Sequence, residues 1–108
     1  MTLHLHEEPC IPAQPGDAPM RMADAETLLR HLNQWTLHED GRISRRWDFP
    51  DFKAALAFVN RVGDLAEDVG HHPDISLGWG RASIELSTHD IGGLHRADFV
   101  LAARIDQI

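Results

Sequence analysis

Apolar and polar positions repeat along this chain with two periods, and the switches between them mark the elements. From 51 to 70 the apolar residues Phe52, Leu56, Val59, Val62, Ala66 and Val69 recur every three or four positions, which aligns them on one face of a helix. Asp51 opens this helix, and Gly70 stops it as a C-terminal glycine commonly does. Trp35-Thr36-Leu37-His38-Glu39 alternates with period two and predicts a strand. Asp40-Gly41, both tolerant of positive φ, predicts a hairpin turn, and Arg42 to Trp47 supplies the returning strand. After a loop at His71 to Ile75, Leu77 to Trp79 and Ala82 to Thr88 predict a second hairpin around Gly80-Arg81. Asp24 caps a first helix with the stripe Leu28, Leu29 and Leu32. Beyond Gly92-Gly93, residues Ala97, Leu101, Ile105 and Ile108 mark one side of a last helix.

The order is therefore helix, hairpin, helix, hairpin, helix. Two hairpins can join into one four-stranded antiparallel sheet with an apolar face, and helices can cover it, which predicts a two-layer α+β domain. Of the strands, Ala82 to Thr88 has the least proline or lysine protecting its edge, so pairing with its own copy is expected. Phe58 and Leu65 lie off the helical stripe and could face a partner helix, which points to a dimer or a tetramer. Pro9, Pro12, Pro15 and Pro19 make residues 1–22 an extended arm, leaving 23–108 as the domain. The arm is either a passive tail or a strap laid on the body or on a neighbouring subunit.

Charge and cysteine usage narrow the classes. Ten Lys and Arg against seventeen Asp and Glu give 10 − 17 = −7, a balance that repels phosphate backbones and anionic membranes. Direct nucleic-acid binding is not expected. The one cysteine, Cys10, allows no internal disulfide, and the first residues lack a secretory signal, which fits a reducing cytoplasm. No stretch approaches the roughly 20 apolar residues that span a membrane.

Candidate chemistry is histidine and carboxylate. Of eight histidines, His4, His6, His31, His38 and His95 lie in the arm or beside charged neighbours and are expected to be solvated. His71, His72 and His89 instead follow the ends of the long helix and a strand, where sites are commonly built. Pro73 forces His72 to extend, and extended neighbours point to opposite sides, so the pair also reads as two surface histidines. Glu67, four residues before His71, can fix an imidazole tautomer, and Thr88-His89-Asp90 sets a third imidazole between a hydroxyl and a carboxylate. Such a group can transfer protons. A zinc site completed by Glu67, Asp90 or Asp98 is the competing chemistry, although no His-x-x-x-His or Cys-x-x-Cys pair supports it. Phosphate-cradling loops and a nucleophile elbow are missing.

The segment Ala66-Glu67-Asp68-Val69-Gly70-His71-His72-Pro73-Asp74, then Trp79, then Leu86-Ser87-Thr88-His89-Asp90-Ile91-Gly92-Gly93-Leu94 and Asp98, resembles the pterin-4a-carbinolamine dehydratase family. Trp35, Asp51-Phe52 and Glu67 extend the resemblance over about Asp24 to Ile108. It implies a cofactor-free and metal-free lyase that dehydrates 4a-hydroxytetrahydrobiopterin, or a related pterin, to the quinonoid dihydropterin in tetrahydrobiopterin recycling. It further implies His71 and His89 as the acid/base pair, His72 as the group orienting the substrate, and Glu67 as the carboxylate poising His71. Thr88, Asp90, Ile91 and Pro73 would line the pterin pocket, and Trp35 would close it. Ile75 stands where many members have an aromatic, Gly78 and Gly80 loosen the strand about Trp79, and His95 replaces the usual Ser or Thr cap of the last helix, which predicts a weaker cap. A non-catalytic dimerisation or binding scaffold of the same fold is the alternative.

Overall fold

The computed structural model describes residues 3–108, so the first two residues of the expected arm lie outside the described residues. A 3-10 turn at Leu5–Glu7 is followed by α1 (Met22–Leu29), β1 (Thr36–His38), β2 (Arg42–Asp48), α2 (Phe52–Val69), β3 (Asp74–Gly78), β4 (Arg81–Leu86), a 3-10 turn at His89–Ile91, and α3 (Arg96–Ile105). The strands form one antiparallel sheet in the order β1-β2-β4-β3. This is the expected α+β fold. Among the described residues no helix is long and apolar enough to cross a membrane.

The sheet buries Ile43 from β2 and Ala82, Ile84 and Leu86 from β4 on its inner face. These pack with Val62, Phe99 and Leu101 of the helices into a single core. α2 begins where its sequence directs: the Asp51 carboxylate accepts from the Ala54 N–H at 2.8 Å, a cap worth about 1 kcal/mol. It ends at Gly70, whose φ of 69° an L side chain would resist. Its buried line is Ala55, Phe58, Val62 and Ala66, one step around the helix from the expected stripe, and Phe52 and Leu56 are exposed. Phe58 is the cause: its ring meets Trp47 at 4.7 Å and Phe49 at 5.3 Å, and that aromatic contact turns the helix. Phe58 therefore faces the core and offers no surface to a partner helix.

Four other local expectations change. β4 lies between β2 and β3, so both its edges are already paired and it cannot pair with a copy; β1 and β3 hold the free edges. β3 starts at Asp74 rather than Leu77, because Pro73 leaves the chain extended and the register Asp74↔Glu85 is taken up at once. In the first hairpin only Gly41 has positive φ, and the turn is a three-residue one closed by Gly41 N–H to the His38 carbonyl. α1 starts at Met22 with Arg21 before it, so Asp24 sits in its first turn instead of capping it.

α3 is the centre of the molecule. Eight of its ten residues are buried, which one apolar stripe cannot explain. The arm supplies the missing cover: Leu5 is buried, Glu8 binds Arg96, and Cys10 donates its thiol to the Ala97 carbonyl. The described part of the arm thus lies along the body of its own chain, and its last residue, Met22, already belongs to α1.

Candidate active site

The chain reverses sharply after α2. The N–H groups of Gly70 and His71 both donate to the carbonyl of Ala66, and the left-handed Gly70 sends the next residues in opposite directions. The His71 side chain goes inward and is 12% exposed, while His72 is 62% exposed. Extended backbone at a proline makes that split.

His71 Nε2 lies 2.5 Å from Oδ1 of Asp98, a carboxylate in the first turn of α3 with no exposure at all. The other Asp98 oxygen accepts from the Thr88 hydroxyl at 2.8 Å and from the His95 N–H at 2.9 Å. A buried carboxylate would be costly without such partners. With Asp98 ionised, Nε2 of His71 donates to it, and the ring's lone pair rests on Nδ1. His95 contributes twice, because its own Nδ1 accepts from the Ala97 N–H at 3.2 Å. The replacement of Ser or Thr by His95 thus preserves a side-chain cap, contrary to the weaker cap expected.

Glu67 does not reach His71. Its Oε2 stands 2.8 Å from Nε2 of His72, because His72 turns back toward the last turn of α2 while His71 turns away from it. His89 is mostly exposed, with Nε2 3.9 Å from Asp74 at the start of β3. It opens on a cleft of about 300 Å³ walled also by the Asp40-Gly41-Arg42 turn and by Gly92-Gly93. At that rim, hydrogen bonds from Arg42 hold the Asp40 carboxyl below the ordinary carboxylate range.

The remaining expected residues divide. Pro73 follows the two histidines into β3, and Thr88 spends its hydroxyl on Asp98. Asp90 and Ile91 line a second cleft together with the arm. Trp35 is not brought to the histidines: it is buried, and its indole N–H donates to Asp106 at 2.8 Å, at the opposite end of α3. At 1.5 Å per residue, eight residues of helix put those ends about 12 Å apart. The sequence offers Asp98 as a possible metal ligand and as part of the family motif, but not as the partner of His71. Its position offered a signal, since it stands three and seven residues before Leu101 and Ile105 and so falls on the buried side of the last helix.

The family model for pterin 4 alpha carbinolamine dehydratase matches residues 18–108. A protein of Rubrobacter xylanophilus is 45% identical over 104 residues, covering 96% of this chain and 97% of that one. One from Halorhodospira halophila is 47% identical over 107 residues, covering 98% of each. Both are named as candidate pterin-4-alpha-carbinolamine dehydratases. Among solved structures, the transcriptional coactivator/pterin dehydratase of Brucella melitensis superposes with a TM-score of 0.78 at 26% identity, over 82% of this chain and 96% of that one. A pterin dehydratase-like protein identified as a RuBisCO assembly factor in the alpha-carboxysome matches with a TM-score of 0.59 at 25% identity, over 71% of this chain and 90% of that one.

Proposed function

Because the chain belongs to the pterin 4 alpha carbinolamine dehydratase family, we propose that it dehydrates a 4a-hydroxytetrahydropterin to the quinonoid dihydropterin by histidine acid/base catalysis. The observation that carries this reading is His71, held by a fully buried carboxylate on one ring nitrogen and left with its lone pair on the other. Loss of the C4a hydroxyl as hydroxide is slow, and protonating the oxygen lets it leave as water. The N5–H bond then breaks, its electrons form the C4a–N5 double bond, and the proton passes to a base. His71 suits the base because its tautomer is fixed, and His89, open to the cleft, suits the acid. A positioned proton transfer typically contributes about 10² to 10⁴ in rate. His72, tied to Glu67, orients the ring, and Pro73 and Ile91 cover it.

All the protons in this scheme move through side chains, so turnover needs no metal. Its place is the recycling of tetrahydrobiopterin or a related pterin in the cytoplasm. Association into dimers or tetramers belongs to the same proposal, with the free edge of β3 and the exposed Phe52 and Leu56 as the surfaces available. A second reading, a binding scaffold, draws on the assembly-factor relative. Stopped-flow decay of a 4a-hydroxytetrahydropterin separates them. His71→Ala and His89→Ala should each slow decay by tenfold or more, up to about 10⁴-fold, with the fold intact. Decay no faster than the uncatalysed rate in the unaltered protein would favour the scaffold.

A further inference from the structure

Among the described residues two arginines, Arg45 and Arg104, bury an Nε that has no hydrogen-bond partner. Their charges are met differently. Arg45 reaches the Asp106 carboxylate at 2.7 Å, whereas a terminal nitrogen of Arg104 donates only to the Glu8 carbonyl at 2.6 Å, and no carboxylate among the described residues pairs with it. A largely buried cation without a counter-charge is costly. The arm occupies one of the Arg104 donors and neutralises none of its charge.

A second unmatched arginine lines the same cleft. Arg61 and Leu65 stand four residues apart on α2 and so share a face, while Gln107 and Ile108 carry the turn on past α3 by donating their N–H groups to the carbonyls of Arg104 and Ile105. Each run sets a cation one turn before an apolar residue. With His6 of the arm, these side chains wall a cleft of about 310 Å³, at the small end of ligand sites. Its lining holds no acidic side chain, in a chain of net charge −7, and Leu65 and Ile108 make it partly apolar. Arg104 is six residues along α3 from Asp98, about 9 Å at 1.5 Å per residue, so this cleft is separate from the histidine site.

We propose that the cleft is a second ligand site, for a small carboxylate with an apolar body. The carboxylate bridges Arg61 and Arg104, the Gln107 amide donates to it, and Leu65 and Ile108 cover the hydrocarbon. Guanidinium groups present paired N–H donors that match a carboxylate, and the ligand supplies the counter-charge that Arg104 lacks. A neutral ligand of the same shape leaves that charge unmet. A bare small anion leaves the apolar wall in water.

Amide chemical shifts followed by NMR test this with phenylacetate, set against 2-phenylethanol, which lacks the charge, and acetate, which lacks the ring. Phenylacetate should give saturable shifts at Leu65, Arg104 and Gln107 and bind about tenfold more tightly than either, the scale of one hydrogen bond to a charged group. Arg61→Gln should weaken it about tenfold with the rest of the spectrum unchanged, and Arg61→Lys should recover part of the loss. Equal affinity for 2-phenylethanol or for acetate overturns the proposal. So does a phenylacetate titration that never saturates, that centres on His89, or that Arg61→Gln leaves unmoved.

Discussion

Two aspartates stand at the two ends of α3, each withdrawn from solvent, and they do different work. Asp106, just past the C-terminal end, accepts from Arg45 at 2.7 Å, from the Trp35 indole at 2.8 Å and from the Asn33 N–H at 3.0 Å. It lies at the negative end of the helix dipole, where a carboxylate is disfavoured, and a full cation offsets this. The Arg45 guanidinium rests 4.6 Å over the Trp47 ring. No group in that cluster can pass a proton, so the cluster is a clamp. Asp98, in the first turn, has the dipole in its favour and takes an imidazole, a hydroxyl and a backbone N–H. Of those only the imidazole has a second ring nitrogen left to take part in chemistry, and it is the partner that reaches the surface. Burial of a carboxylate marks where the fold concentrates hydrogen bonds; its partner decides whether chemistry can follow.

Asp106→Ala is the most disruptive way to probe that contrast. It leaves a largely buried guanidinium without its counter-charge and should cost about 3 kcal/mol in denaturant unfolding, the low end of what breaking a buried pair costs, while turnover per folded molecule is retained. A loss below about 1 kcal/mol, the scale of an exposed ion pair, would mean that the clamp is no more than a surface pair. Thr88→Val is smaller and acts at the other end. Removing one hydrogen bond to a charged group is worth about 1.5–3 kcal/mol, so a fall in kcat of up to roughly 10- to 10²-fold is expected, restored by Thr88→Ser. Failure of serine to rescue would tie the effect to packing instead of to the hydroxyl.

The least expected effect concerns acid and the arm. Hydrogen bonds from Arg96 hold the Glu8 carboxyl below its ordinary value of 4.5. A carboxyl lowered by folding adds stability above the ordinary value and loses it as pH falls through the lowered one. Arm docking should therefore be complete at neutral pH and loosen as the pH drops below about 4.5. Amide exchange at Glu8 and Met20 would follow this loosening, and Glu8→Gln should flatten the pH dependence. Exchange rates with the same acid response in that variant would assign the loosening elsewhere.

Much of the fold could be read from single residues. Asp51 and Gly70 bound α2 in the sequence and in space because a cap and a left-handed stop are local interactions. The face of α2 could not be read, since Phe52-Leu56-Val59 and Ala55-Phe58-Val62 both have helical spacing. Only the aromatic neighbours Trp47 and Phe49, distant in sequence, choose between them. The start of β3 is hidden for another reason: Asp74, Ile75 and Ser76 are exposed at the sheet edge and show no apolar alternation. In the site, the histidines announced themselves by clustering at element ends. The exchange of partners, with Glu67 on His72 and Asp98 on His71, depends on how the chain leaves Gly70 and is not carried by spacing.

The most direct test of the account sets Asp98→Asn beside Asp106→Asn in one stopped-flow dehydration assay, with unfolding curves to count folded molecules. An amide at 98 no longer fixes the His71 tautomer, so kcat should fall by about 10²- to 10⁴-fold, whereas the amide at 106 should leave turnover per folded molecule within about twofold. Equal losses from the two substitutions, or near-normal turnover with asparagine at 98, would contradict it.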